Sequence, residues 1–110
     1  MIAATESGST TGTTTASYVE VFRLDTRGCG VQGKMLISIK NTSGTVTMKY
    51  KIDGYPGMYG GLSIACKSET SIGTSTQVDS TDVDKGYAAV VLSVIDNSGH
   101  ATYQVDWTTY

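Results

Sequence analysis

The chain has 110 residues, a formal net charge of −2, and only 16% charged residues. A single domain of this length buries roughly two-thirds of its unfolded surface, enough for a genuine core. With no basic excess to neutralise phosphates, nucleic-acid binding is excluded as a main activity.

The opening residues MIAATE lack the cationic stretch and long apolar run of an export signal. No segment approaches the apolar length that spans a bilayer, so no membrane partner is expected. A protein of this kind stays in the cytoplasm where it is made, or leaves by another route such as packaging into a particle.

Residues 1–16 (MIAATESGSTTGTTTA) read as an extended Thr/Ser/Gly arm, separate from a β-sandwich domain at 17–110. Such a composition cannot order itself by burying apolar surface. Threonine has good strand propensity, so the arm is expected to be ordered by a sheet edge, on a neighbouring chain or on its own domain.

Residues 18–24 (YVEVFRL) read as the first core strand, followed by a loop with Gly28, Cys29 and Gly30. Two alternating runs come next. In 31–40, Val31, Gly33, Met35, Ile37 and Ile39 share one face; in 46–53, Val46, Met48, Tyr50 and Ile52 do. Alternation with period two marks half-buried strands. The turn chemistry of 41–45 (NTSGT) between them predicts a β-hairpin.

Residues 54–61 (GYPGMYGG) form a glycine-aromatic loop that places Tyr55, Met58 and Tyr59 at the surface. A short strand at 62–67 puts Cys66 in phase with Leu62 and Ile64, predicting a buried thiol, although a Cys29–Cys66 bridge stays open. A brief strand is expected around 75–78 in the polar stretch that follows. Residues 87–95 (YAAVVLSVI) are the most apolar segment, with Ala88, Val90, Leu92 and Val94 facing inward and Tyr87, Ala89, Val91 and Ile95 partly covered on the other side. After a hairpin turn at 97–99, Ala101, Tyr103, Val105 and Trp107 line the inner face of a final strand. About seven strands with regular turn signals, and no helical stripe, predict an all-β antiparallel sandwich or barrel.

Chemistry-bearing groups are sparse. His100 is the single histidine and falls at a turn, with no nucleophile and orienting partner marked out around it. Asp79, Asp82 and Asp84 make an acidic loop without the glycine and distal glutamate of an EF-hand. No catalytic residue, metal site, cofactor or small-molecule substrate is therefore expected. Tyr50, Tyr55, Tyr59, Tyr103 and Trp107 fit core filling and subunit packing better than a sugar platform.

The Thr/Gly-rich arm, the run VEVFRLDTRGCGVQGKMLISIKNTSGTVTMKYKIDGYPG, then KSETSIG and a closing ATYQVDWTTY together resemble small β-sandwich proteins that tailed bacteriophages place on the virion, such as capsid decoration proteins. The resemblance implies a non-enzymatic protein on a capsid lattice, partnered by virion proteins and by further copies of itself. Contacts would run through Thr10, Thr11, Thr13, Thr14 and Thr15 of the arm and Tyr55, Met58 and Tyr59 of the loop. The alternative is a tail, fibre or adhesin-like carbohydrate-binding module using Tyr55, Tyr59 and Trp107.

Overall fold

The computed structural model describes residues 7–25, 35–56, 61–80, 89–96 and 101–109. They form eight strands: β1 (Ser7–Thr13), β2 (Val19–Asp25), β3 (Met35–Asn41), β4 (Met48–Tyr55), β5 (Ile64–Ile72), β6 (Gln77–Ser80), β7 (Ala89–Ile95) and β8 (Thr102–Thr109). One sheet runs β1-β8-β3-β6 and the other β2-β7-β4-β5, with every pair antiparallel. That strand order is the jelly roll, a double-sheet sandwich. The all-β sandwich expectation holds, with one strand more than the sequence count because residues 7–13 of the arm are themselves a strand.

The core lies between the sheets. From the first come Met35, Ile37, Ile39, Tyr103 and Val105; from the second, Met48, Tyr50, Ile52, Ile72, Val90, Leu92 and Val94. Alternation explains the match: β3 and β4 bury every second residue, and those are the positions that the apolar pattern marks. Each fully buried aliphatic side chain contributes about 1.5–3 kcal/mol.

The expected hairpin of 31–40 with 46–53 does not form. β3 pairs with β6 and β8, while β4 pairs with β5 and β7 in the opposite sheet. Nor do β7 and β8 form a hairpin, since they too belong to different sheets. Only β4 and β5 are neighbours both in sequence and in a sheet. Alternation cannot separate the two cases, because a hairpin and an arch between facing sheets both turn their apolar sides into one core.

Asn41 secures the arch. It is fully buried, and its Nδ2 donates to the Val46 carbonyl at 2.8 Å and, at longer range, to the Ile72 carbonyl at 3.5 Å. Its Oδ1 accepts from the Ser43 N–H at 2.9 Å. The backbone N–H groups of Asn41 and Thr42 donate to the Thr76 and Thr102 carbonyls, each at 2.9 Å. The carboxamide thus satisfies backbone groups that the crossing leaves without a ladder partner.

Sheet register is broken in two places. Val21 is the extra residue of a bulge between Glu20 and Phe22, which turns Phe22 inward and Arg23 outward. β5 carries two irregularities, advancing from Thr70 to Ala65 while β4 moves only from Tyr50 to Asp53.

Replacing Asn41 with Ala removes the partner of the buried Ser43 N–H and of the partly buried Val46 carbonyl. Urea unfolding should show a loss of about 2–3 kcal/mol. A loss below about 0.5 kcal/mol, the size of an ordinary surface substitution, would mean that the amide does not hold the crossing.

Candidate functional site

The sequence places contacts on the arm and on the 54–61 loop; of those residues the structure describes the five threonines and Tyr55. β1 pairs along its whole length with β8 of the same chain, from Ser7 opposite Thr108 to Thr13 opposite Thr102. Thr11 and Thr13 face solvent, whereas Thr10 is half-buried opposite Val105. Thr14 is almost fully buried: its N–H donates to the Ala101 carbonyl at 2.8 Å and its Oγ1 accepts from the Ala101 N–H at 3.1 Å. It ties the strand to its own domain and offers no surface for a partner. Thr15 is exposed; its carbonyl accepts from the Asp96 N–H and its Oγ1 donates to the Ser17 carbonyl.

What seats β1 is two missing side chains. A Cβ on Gly8 would lie 2.6 Å from Cζ2 of Trp107, and one on Gly12 would lie 2.7 Å from Cζ of Tyr103. The rings therefore lie across the β1 backbone where a side chain would stand. The Trp107 ring also meets Phe22 of the opposite sheet, with centroids 5.6 Å apart. The sequence holds a signal for this match: Gly8 and Gly12 are four residues apart, as are Tyr103 and Trp107, and antiparallel pairing puts them opposite one another.

On the outer face of the second sheet, Tyr55 lies beneath the Arg23 guanidinium, 5.0 Å from the ring centroid. Arg23 is on β2 and Tyr55 on β4, so the pair closes over β7 between them. Lys51 sits 4.3 Å from the Tyr18 ring centroid, and the Tyr18 hydroxyl donates to Glu69. These straps explain why Ala89, Val91 and Ser93 are buried on the outward side of β7, more completely than expected. Burial first, and then the bond to Glu69, pushes the Tyr18 phenol well above its ordinary range; the same bond holds the Glu69 carboxyl low. Tyr50 is wholly in the core, its phenol raised by burial, with Thr70 and Ser80 nearby but no well-formed hydrogen bond.

The aromatic platform of the alternative reading is not assembled among the described residues. Trp107 packs with Phe22 and Gly8, Tyr55 is on the outer face of the other sheet, and Tyr59 lies outside the described residues. Met58, His100, Asp82, Asp84, Cys29 and Tyr87 lie outside them as well. Asp79 is on β6, accepting from Gln77 at 3.2 Å. Among the described residues, no group of three or more His, Cys, Asp or Glu is placed to hold a metal. The depression around Leu36, Ser38 and Asp106 holds about 140 Å³, less than the roughly 300–1,000 Å³ of a small-molecule site.

The residues that sequence reasoning missed are Leu62 and Ile64. In phase with Cys66, they were expected in the core, yet they are 87% and 58% exposed. Leu62 lies before β5 begins, and Ile64 is the first residue of that edge strand, opposite Gly54 at the far end of β4, where no further strand among the described residues covers it. Cys66 is half-buried against the core while Ile64, two residues before it, is not. Leu62 and Ile64 thus leave two aliphatic side chains exposed where the chain enters β5.

No protein-family model matches the chain, and no curated protein matches it. Solved structures share its fold. A Bacillus endospore appendage protein, from a family of disulfide-linked pili, superposes with a TM-score of 0.64 at 13% identity, over 96% of this chain and 84% of the other. PirA gives 0.61 at 19% identity, over 94% and 93% of the two chains. The Yersinia pseudotuberculosis-derived mitogen gives 0.61 at 14% identity, over 99% and 88%. At these identities the likeness is one of fold.

If the rings require the glycines, Gly8→Ala should cost about 1–3 kcal/mol in urea unfolding, as overpacking does. In a Trp107→Leu background most of that loss should vanish, giving a coupling of about 1 kcal/mol in a double-mutant cycle. On an undocked arm the same change would be neutral or slightly stabilising, because alanine has less conformational freedom to lose.

Proposed function

We propose that the chain is a non-catalytic assembly protein, a jelly-roll unit that attaches to other protein subunits through the apolar end of its β4–β5 hairpin. The observation that carries this is the exposure of Leu62, just before the edge strand β5, and of Ile64, its first residue. Two large aliphatic side chains left in water where the chain enters an edge strand are surface that a partner can bury.

In its finer form, the partner is the lattice of a virion and the chain is a decoration protein, as the sequence resemblance implies. Added interface would then stabilise the assembled state, since whatever binds only that state shifts the equilibrium toward it. A second form, a subunit of a pilus-like fibre, is favoured by the fold shared with the endospore appendage protein. Both use one chemistry, burial of the hairpin end against protein.

In the cells that produce the chain, it should sediment with high-mass particles. The double variant Leu62→Glu, Ile64→Glu should move it to the soluble fraction with stability unchanged to within about 0.5 kcal/mol, because both side chains are already in water. Undiminished sedimentation of that variant, or a native chain that is wholly soluble, would remove the basis for this function.

A further inference from the structure

Among the described residues, each sheet of this sandwich ends in two open edges, and open edges are normally guarded by shortness, charge, proline or bulges. β6 is only four residues long and carries Asp79. β2 is bulged and carries Glu20 and Arg23. β5 is interrupted twice and carries Lys67 and Glu69. β1 has none of these devices: seven residues in unbroken register, with the sequence SGSTTGT. Among the described residues, nothing pairs with its outer side.

The same seven residues are self-complementary. About Thr10 as centre, an antiparallel copy sets Ser7 opposite Thr13, Gly8 opposite Gly12, and Ser9 opposite Thr11. Hydroxyl meets hydroxyl on the exposed face, and glycine meets glycine on the face crossed by the Trp107 and Tyr103 rings. A charged edge paired with itself about its own centre can bring like charges together; this one is neutral throughout. Ser and Thr pairs across a strand interface are favourable, and like charges directly opposite are not.

We propose that β1 is the self-pairing edge of a two-fold dimer, in which β1 of one copy lies antiparallel to β1 of a second, centred on Thr10. The two β1-β8-β3-β6 sheets then run on as one continuous sheet. The interface is isologous, the same patch on both copies, as a closed dimer requires. It deepens the assembly function proposed above by naming a second copy as one partner. It leaves the β4–β5 end, at the opposite edge of the sandwich, for the other.

The test is self-association of the purified full-length chain, followed by light scattering from about 10 μM to 1 mM, where a small interface associates. Mass should rise with concentration from that of the monomer, 11.6 kDa, to twice it. Ser9→Lys with Thr11→Lys puts Lys opposite Lys at two symmetric places and should weaken the dimer at least about tenfold. Ser9→Lys with Thr11→Glu puts Lys opposite Glu in the same register and should restore it. Positions 9 and 11 are exposed opposite Asp106 and Gln104, so both variants should unfold at the same urea concentration as the native chain. A native chain that stays monomeric throughout, or two variants that associate alike, overturns the proposal. So does an association lost in the Leu62→Glu, Ile64→Glu variant but not in the Lys pair, and that last outcome leaves attachment through the β4–β5 end standing.

Discussion

Two aromatic rings lying where two side chains are missing set the edge of this sandwich. Trp107 and Tyr103 project from β8 across Gly8 and Gly12, and the Trp107 ring continues to Phe22 on the facing sheet. One side chain thereby joins three strands and both sheets. A larger residue at either glycine would drive the ring off the backbone, exposing it or forcing it into the core. β1 contributes no large apolar side chain of its own, so its place depends on what β8 lays over it. The ordering cost of a Thr/Ser/Gly segment is met by the burial of its neighbour's rings.

That arrangement fixes what the molecule offers to others. The sheet orders, with Phe22 of β2 against Trp107 of β8, put β1 at one lateral side of the sandwich and β5 at the other. One side is a neutral, regular, hydroxyl-lined strand edge; the other is a bulged edge that opens with the exposed Ile64, with exposed Leu62 just before it. The two sides therefore differ in chemistry: one is polar and regular, the other irregular with aliphatic groups exposed near its start. Between them, the outer face of β7 is sealed by the Arg23–Tyr55 and Lys51–Tyr18 pairs. Tyr55 contributes to this sealing strap.

Where a strand alternates and both its neighbours are present, the pattern was enough: β3, β4 and β8 bury the residues that the sequence marks. Connectivity was not legible, because NTSGT is turn chemistry whether the chain returns beside itself or crosses to the other sheet. What distinguishes the cases is the environment of Asn41, a long-range fact involving Ile72, Thr76 and Thr102. Alternation marks Leu62 and Ile64 as inward, but it does not show where the strand starts. Leu62 precedes β5 and Ile64 opens it at an edge, where facing the core side is not enough to be covered. The arm read as low-complexity because its glycines have meaning only opposite Tyr103 and Trp107. The spacing was in the sequence, but the register that gives it sense was not.

The most direct test of this account is amide-resolved hydrogen exchange of residues 7–13 in the dilute full-length chain. An edge strand bonds its partner through every second residue, and an N–H that faces water exchanges freely. Docking on β8 predicts alternating slow and fast amides along β1, with protection lost when Gly8 becomes Val. Uniformly fast exchange across all seven residues would contradict it, leaving Trp107 and Tyr103 without the strand they are said to hold.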